Sequence, residues 1–160
     1  MQFRVESPVG PLPTQRADEW GSGHFGARRG SKKHDGLDLI VTPGQPIFSM
    51  IDGTVEKYEQ CYLHDTRWKG VQIANAQLRV ELWYMDPTNT VAVDEFVQAG
   101  QMVGVAQDIS IKYPPTEKIP HDMTPHLHVR VTLRAFTTIA NGRYVSFEQY
   151  IDPSLLLRRE

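Results

Sequence analysis

The sequence predicts an antiparallel all-β fold. Helical periodicity is nearly absent, β-branched and aromatic runs are short, and Gly, Pro and Asn punctuate them at close intervals. In chain order, Leu37–Val41 is an apolar run that opens after Gly36 and carries a lone acid, Asp38. Pro46–Ile51 and Thr54–Tyr58 flank Asp52-Gly53, a dipeptide that signals a hairpin turn. Val71–Ala74, Leu78–Met85 and Met102–Ala106 have the composition of strands on a core. His126–Leu133 alternates, so His126, His128 and Arg130 share one face while Leu127, Val129 and Val131 share the other. Ser146–Leu157 is expected to hold a short helix, with Pro153 tolerated only in its first turn or at a break. Two long connections, 59–70 and 107–125, are expected to wall a functional groove, although Pro-rich loops also serve to cover a sheet edge.

Length and composition narrow the class. With 160 residues, 40% hydrophobic and 22% charged, the chain suits a single domain over 1–160, its core at roughly 20–157. A formal charge of −2 leaves no electrostatic footprint for nucleic acid or an anionic membrane, and no stretch approaches the length of a membrane span. Arg28-Arg29 and Lys32-Lys33 read as a solvated loop. Cys61 is the only cysteine, which excludes an internal disulfide and a cysteine-based zinc site. Any metal must therefore be held by imidazoles and carboxylates. The opening MQFRVESPVGPLP lacks an apolar core behind a basic start and does not read as a signal peptide.

Two motifs carry chemistry. In "PHLHVRV" the two histidines face one side of a strand, which taken alone is weak support for a metal. In "HDGLD", His34 and Asp38 lie four residues apart around Gly36, a residue expected to give the backbone an unusual conformation. A carboxylate in an apolar run is costly to bury unless it is paired or coordinates a cation, so Asp38 strengthens the metal reading more than His34 does. Alternatively Asp38 caps nearby amides in a loop. Two imidazoles and a carboxylate form a zinc donor set whose fourth position stays open in catalytic sites.

The runs "GHFGARRGSKKHDGLDLIVTPGQPIFSMIDGTV", "VQAGQMVG" and "PHLHVRV", in this order and spacing, resemble the lysostaphin-type zinc metallopeptidases, also called the M23 or LytM family. The resemblance covers roughly residues 20 to 135, and the closing "YIDPSLLL" also looks like the family's end. It implies an enzyme that cuts peptide cross-links of bacterial peptidoglycan. It also implies that His34, Asp38 and His128 bind Zn2+, with His126 acting on the substrate or on water instead of ligating. Arg28 matches the family's "FGxR" pattern and is expected either to position the HxxxD loop or to be a plain surface arginine.

One position departs from the family. Where its "Tyr-x-His-Leu" strand motif belongs, this chain has "LWYM", with Tyr84 in place of the histidine and, by alternation, on the strand face of Val80 and Leu82. The strand and the "KYPP" loop also resemble the degenerate, non-peptidase branch typified by leukocyte cell-derived chemotaxin. A phenol with a reference pKa of about 10 is a poor base at neutral pH but a good donor to a developing oxyanion. Tyr84 is thus a candidate catalytic donor, and His121 in the long loop is a remoter source of an imidazole. Trp20, Trp68 and Trp83 read as packing residues, Trp68 being the best placed for substrate contact. Two functions follow from the resemblance: a zinc endopeptidase acting on wall peptide, or a zinc-stabilised module that binds wall peptide or a protein partner. Without a signal peptide, access to the wall is expected through a phage virion, a lysis protein with phage structural partners, or a specialised secretion route.

Overall fold

The structure, a computed structural model, describes residues 4–139 and 142–157. It is built almost wholly from antiparallel strands. These are β1 (Ala17–Asp18), β2 (Gly21–Ser22), β3 (Arg28–Arg29), β4 (Lys32–Lys33), β5 (Leu37–Ile40), β6 (Pro46–Phe48), β7 (Gly53–Gln60), β8 (Lys69–Ala74), β9 (Leu78–Trp83), β10 (Met85–Asp86), β11 (Phe96–Val97), β12 (Met102–Ala106), β13 (His126–Ile139) and β14 (Arg143–Ile151). A 3₁₀ turn, Ile109–Lys112, lies in the second long loop, and α1 (Ser154–Leu157) is a single helical turn. No helix among the described residues is long and apolar enough to cross a membrane.

The main sheet runs β11-β7-β8-β9-β13-β14, and β5 joins it by pairing with β13. Strand β13 is long enough to use two partners in succession on one edge, β5 over His126–Val129 and β14 from Val131 onward, with β9 on its other edge. A smaller sheet, β10-β12-β6, contributes Met85, Val103 and Ile47 to the same core as Leu82, Ile73 and Val55. The alternation expected for β13 holds: Leu127, Val129 and Val131 are wholly buried in that core. His126, His128 and Arg130 consequently face the opposite side, where the loops lie.

The short helix expected within Ser146–Leu157 is present only at the segment's end, and two further expectations need correction. Residues 143–151 form strand β14, and only Ser154–Leu157, directly after Pro153, is helical. The apolar residues of β14 satisfy a sheet ladder against β13 rather than a helical face. Asp52-Gly53 does not close a hairpin, because β6 pairs with β12 while β7 pairs with β8 and β11; the dipeptide carries the chain from the small sheet to the large one. Finally, strand β9 ends at Trp83, and Tyr84 takes a left-handed φ of 67°, which breaks the alternation that put it beside Val80 and Leu82.

The apolar face of β13 is expected to anchor the fold. Leu127→Ala deletes a fully buried side chain and should lower the unfolding free energy by about 2–5 kcal/mol, read from chemical denaturation.

Candidate metal centre

Pairing of β5 with β13 sets Asp38 directly opposite His128, and Trp83 of β9 lies opposite His128 on the other edge. His34 precedes β5, and its imidazole is brought over the same spot. His34 Nε2 lies 3.1 Å from Asp38 Oδ1 and 3.0 Å from His128 Nδ1, which itself lies 3.0 Å from Asp38 Oδ1. All three residues are buried. Three ligands held at ~2.0–2.1 Å by one tetrahedral ion are roughly 3.3 Å apart, so the observed triangle is close to that size.

The proton inventory makes the case sharper. His34 Nδ1 donates to the His24 carbonyl at 2.9 Å, which leaves Nε2 as a bare acceptor. His128 Nε2 is buried without a hydrogen-bond partner, its nearest acid being Asp35 Oδ1 at 3.5 Å. Asp35 in turn is gripped by Arg130 at 2.9 Å, and Arg130 forms a forked pair with Glu81. With its proton on Nε2, facing Asp35, His128 turns Nδ1 bare toward Asp38. Three lone-pair atoms then converge around one negative charge, an arrangement that repels itself unless a cation lies among them. A proton can substitute: burial opposes protonation of His128, but the Asp35 and Asp38 carboxylates on either side of its ring prevail and raise its pKa. Burial pushes the Asp38 carboxyl up, yet its contacts with His128 and His34, which share the substituting proton, hold it well below the usual carboxylate range. The donor set fits a divalent zinc.

Asp38 uses its two oxygens differently. Oδ1 faces the histidines, while Oδ2 accepts from Arg16 Nε and Nη2 at 3.3 and 3.0 Å and from Arg29 Nη2 at 3.3 Å. Arg16 is only 2% exposed and also pairs with Asp18 at 2.6 Å. Asp18 accepts the backbone N–H of Thr124, which ties the N-terminal segment to the loop entering β13. Arg16 was not singled out in the sequence because nothing local distinguishes it. Arg29, rather than Arg28 of the FGxR pattern, reaches Asp38; Arg28 points outward on β3 and is exposed. The basic pairs expected as loop form the short β3–β4 ribbon.

Gly36 has a structural purpose other than the one expected. Its φ is not positive; a Cβ there would meet the Val129 carbonyl oxygen at 2.5 Å and His128 Cε1 at 2.6 Å. The residue is small because the His128 ring and the β13 backbone occupy the space.

His126 lies beside the cluster, its Nε2 3.8 Å from Asp38 Oδ1. Its Nδ1 donates to the Thr124 carbonyl at 2.8 Å, so Nε2 presents a lone pair. Burial lowers its pKa to about 4, and the ring is neutral at pH 7. The left-handed turn at Tyr84 delivers its ring edge-on to His126, with centroids 5.3 Å apart. His34, Asp38, Tyr84, His126 and His128 thus meet in one groove of about 430 Å³, walled by Trp20, Tyr113 and Met123. His121 is exposed and contributes only its carbonyl, to Trp20 Nε1. Trp68 is buried and bonded to Asp65 outside the groove, so the tryptophans that line it are Trp20 and Trp83.

Known proteins resemble this chain in sequence family and in fold. A model described as Peptidase family M23 matches residues 32–146. Among solved structures, the catalytic domain of the antimicrobial peptidase lysostaphin from Staphylococcus simulans is 19% identical with a TM-score of 0.54, over 86% of this chain and 88% of that one. Helicobacter pylori Csd3 is 24% identical with a TM-score of 0.60, and a zinc containing peptidase from Vibrio cholerae is 19% identical with a TM-score of 0.58. Both are covered along 99% of this chain, which spans only 34% and 40% of their own lengths. At these identities the structures support the all-β fold.

The crowding at Gly36 generates a test. Gly36→Ala forces the His128 ring or the β5–β13 pairing to give way, with an expected loss of about 1–3 kcal/mol in stability, measured by thermal or chemical unfolding. An unchanged unfolding midpoint would contradict the close approach.

Proposed function

The chain belongs to peptidase family M23, and from that premise we propose that it is a zinc metalloendopeptidase acting on peptide cross-links of bacterial peptidoglycan. The observation that carries this reading is the convergence of His34, Asp38 and His128 at 3.0–3.1 Å on the floor of an open groove, with His126 and Tyr84 beside them. His34 Nε2, Asp38 Oδ1 and His128 Nδ1 are the proposed ligands. A zinc ion in such a site supplies Lewis-acid polarisation of a peptide carbonyl and of water.

The surrounding residues have separate tasks. Arg16 and Arg29 occupy Asp38 Oδ2, so the carboxylate offers one oxygen to the ion and keeps its orientation. Asp35, held by Arg130, faces Nε2 of His128 and sets its tautomer, the kind of outer contact that tunes a metal-bound imidazole. His126, neutral and anchored through Nδ1, has Nε2 free to accept a proton from attacking water. Tyr84 carries a hydroxyl whose proton is retained at neutral pH, because burial pushes its pKa well above the ordinary phenol value. Such a group donates to an oxyanion but does not serve as a base.

A second reading is favoured by the same tyrosine: a phenol where the resemblance expects an imidazole suits a degenerate, zinc-stabilised module that binds wall peptide without cutting it. Two measurements decide. Zinc-loaded protein incubated with purified peptidoglycan from several wall types should release peptides with new amine termini by mass analysis; tight binding without any cleavage would favour the module. His126→Ala should retain zinc and lose ~10²–10⁴ in rate, whereas loss of zinc would make His126 a ligand.

The ligand set has its own test. Asp38→Ala should abolish zinc retention by elemental analysis and lower the melting temperature, because the ion stabilises only the folded state and Arg16 is left buried without its partner. Full zinc occupancy in this variant would overturn the assignment.

A further inference from the structure

Of the two long loops expected to wall the groove only the second does so, through Tyr113 and Met123; the first, 59–70, lies behind it and is joined to it by a chain of three tyrosine hydroxyls. Tyr84 Oη lies 3.0 Å from Tyr62 Oη, and Tyr62 Oη lies 2.9 Å from Tyr113 Oη. Tyr62 comes from the loop between β7 and β8, and Tyr113 follows the 3₁₀ turn of the loop between β12 and β13. The backbone of Tyr84 is pinned independently, its N–H donating to Lys69 and its carbonyl accepting from Gln107, each at 2.9 Å.

Two further contacts hold Tyr62. Its ring stacks on that of Tyr84 at 6.1 Å between centroids, and the Lys112 ammonium, paired with Asp65, lies 4.2 Å from its ring centre. It faces a separate surface cavity beside Asp65, Arg67 and Lys112, and is not among the residues lining the catalytic groove, whereas Tyr84 and Tyr113 are. Any influence of Tyr62 on the reaction must therefore pass through its neighbours.

Counting protons gives that influence a direction. Three hydroxyls have three protons, and the two links consume two. Running from Tyr113 through Tyr62 to Tyr84, the chain leaves the spare proton on Tyr84, beside His126; running the other way, it leaves the proton on Tyr113 at the groove wall. Among the described residues Tyr84 Oη makes no other hydrogen bond, so the first direction keeps it available as a donor. Negative charge developing in the groove favours that direction, and each link in such a chain strengthens the next.

We propose that Tyr62 is a positioning residue: its hydroxyl donates to Tyr84 Oη and so holds the Tyr84 proton toward the groove, with Tyr113 completing the chain from the groove wall. This rests on the peptidase reading, and it accounts for how a phenol is made a directed donor at a place where the resemblance expects an imidazole. It also couples the donor to the walls, since the Tyr113 ring packs edge-on against Trp20 at 5.7 Å, where a seated peptide would press.

The test is a double-mutant cycle on wall-peptide cleavage. Tyr84→Phe removes the donor and should lower kcat by ~10²–10³. Tyr62→Phe keeps the ring stack and should lower kcat by about tenfold, with KM, zinc content and melting temperature unchanged; Tyr113→Phe should act in the same sense and less. In a Tyr84→Phe background, Tyr62→Phe should cost nothing further, because the hydroxyl it orients is gone. An unchanged kcat in Tyr62→Phe, or the same loss with and without Tyr84, overturns the proposal and leaves the peptidase reading intact. Wild-type protein that cleaves no wall type overturns both.

Discussion

Everything at the centre depends on one register, Asp38 of β5 opposite His128 of β13. Side-chain alternation has a period of two, so a slip of one residue would turn both histidines of the HxH motif into the core and expose Leu127 and Val129. The core therefore enforces the site. Wholly buried Leu127, Val129 and Val131 hold β13 in place, and the opposite face has no alternative but to present His126, His128 and Arg130 together. Gly36 sharpens the constraint, because the HxxxD turn lies so close to the His128 ring that a methyl group has no room.

That register buries charge, and the charge is balanced locally. Asp38, buried with its two oxygens divided, faces imidazoles on one side and two guanidinium groups on the other. Arg16 carries a second acid, Asp18, which in turn holds the backbone just before His126. A chain of alternating charges thus runs from the N-terminal segment to the loop that enters β13. A separate chain, Glu81–Arg130–Asp35, approaches His128 from the opposite side. Buried pairs of this kind add little net stability, but losing one partner is costly, so they hold the ligand atoms in place more than they hold the fold together.

What was legible in the sequence follows from this division. The shared face of His126 and His128, the acid in the apolar run at Asp38, and most of the strands were readable because they depend on alternation and local composition. Arg16, Arg29 and Asp35 were not, since their roles arise from tertiary approach and no local pattern marks them. Arg29 rather than Arg28 reaches Asp38 because the two alternate across β3, a strand too short to announce itself. Within Ser146–Leu157 the short helix is confined to the turn after Pro153, because pairing with β13 draws the residues before it into a strand whose composition is ambiguous over so short a run. Tyr84 was placed on the wrong face because alternation assumes an unbroken strand, and a left-handed tyrosine is a local exception that only the surrounding bonds to Lys69 and Gln107 maintain.

The groove accordingly has two halves of different physical character. The ligand half is made by sheet register and buried charge, and its atoms can shift only if strands shift. The donor half hangs on loops: Tyr84 leaves the sheet at its backward turn, and its hydroxyl is linked to Tyr62 and Tyr113 from two separate connections. A tyrosine on an unbroken strand would have its hydroxyl wherever alternation put it. Here the left-handed turn redirects the ring toward His126, and Tyr62, itself bonded to Tyr113, gives its oxygen a defined partner. Tyr84 and its supporting residues form one structural unit, separate from the register that brings His34, Asp38 and His128 together.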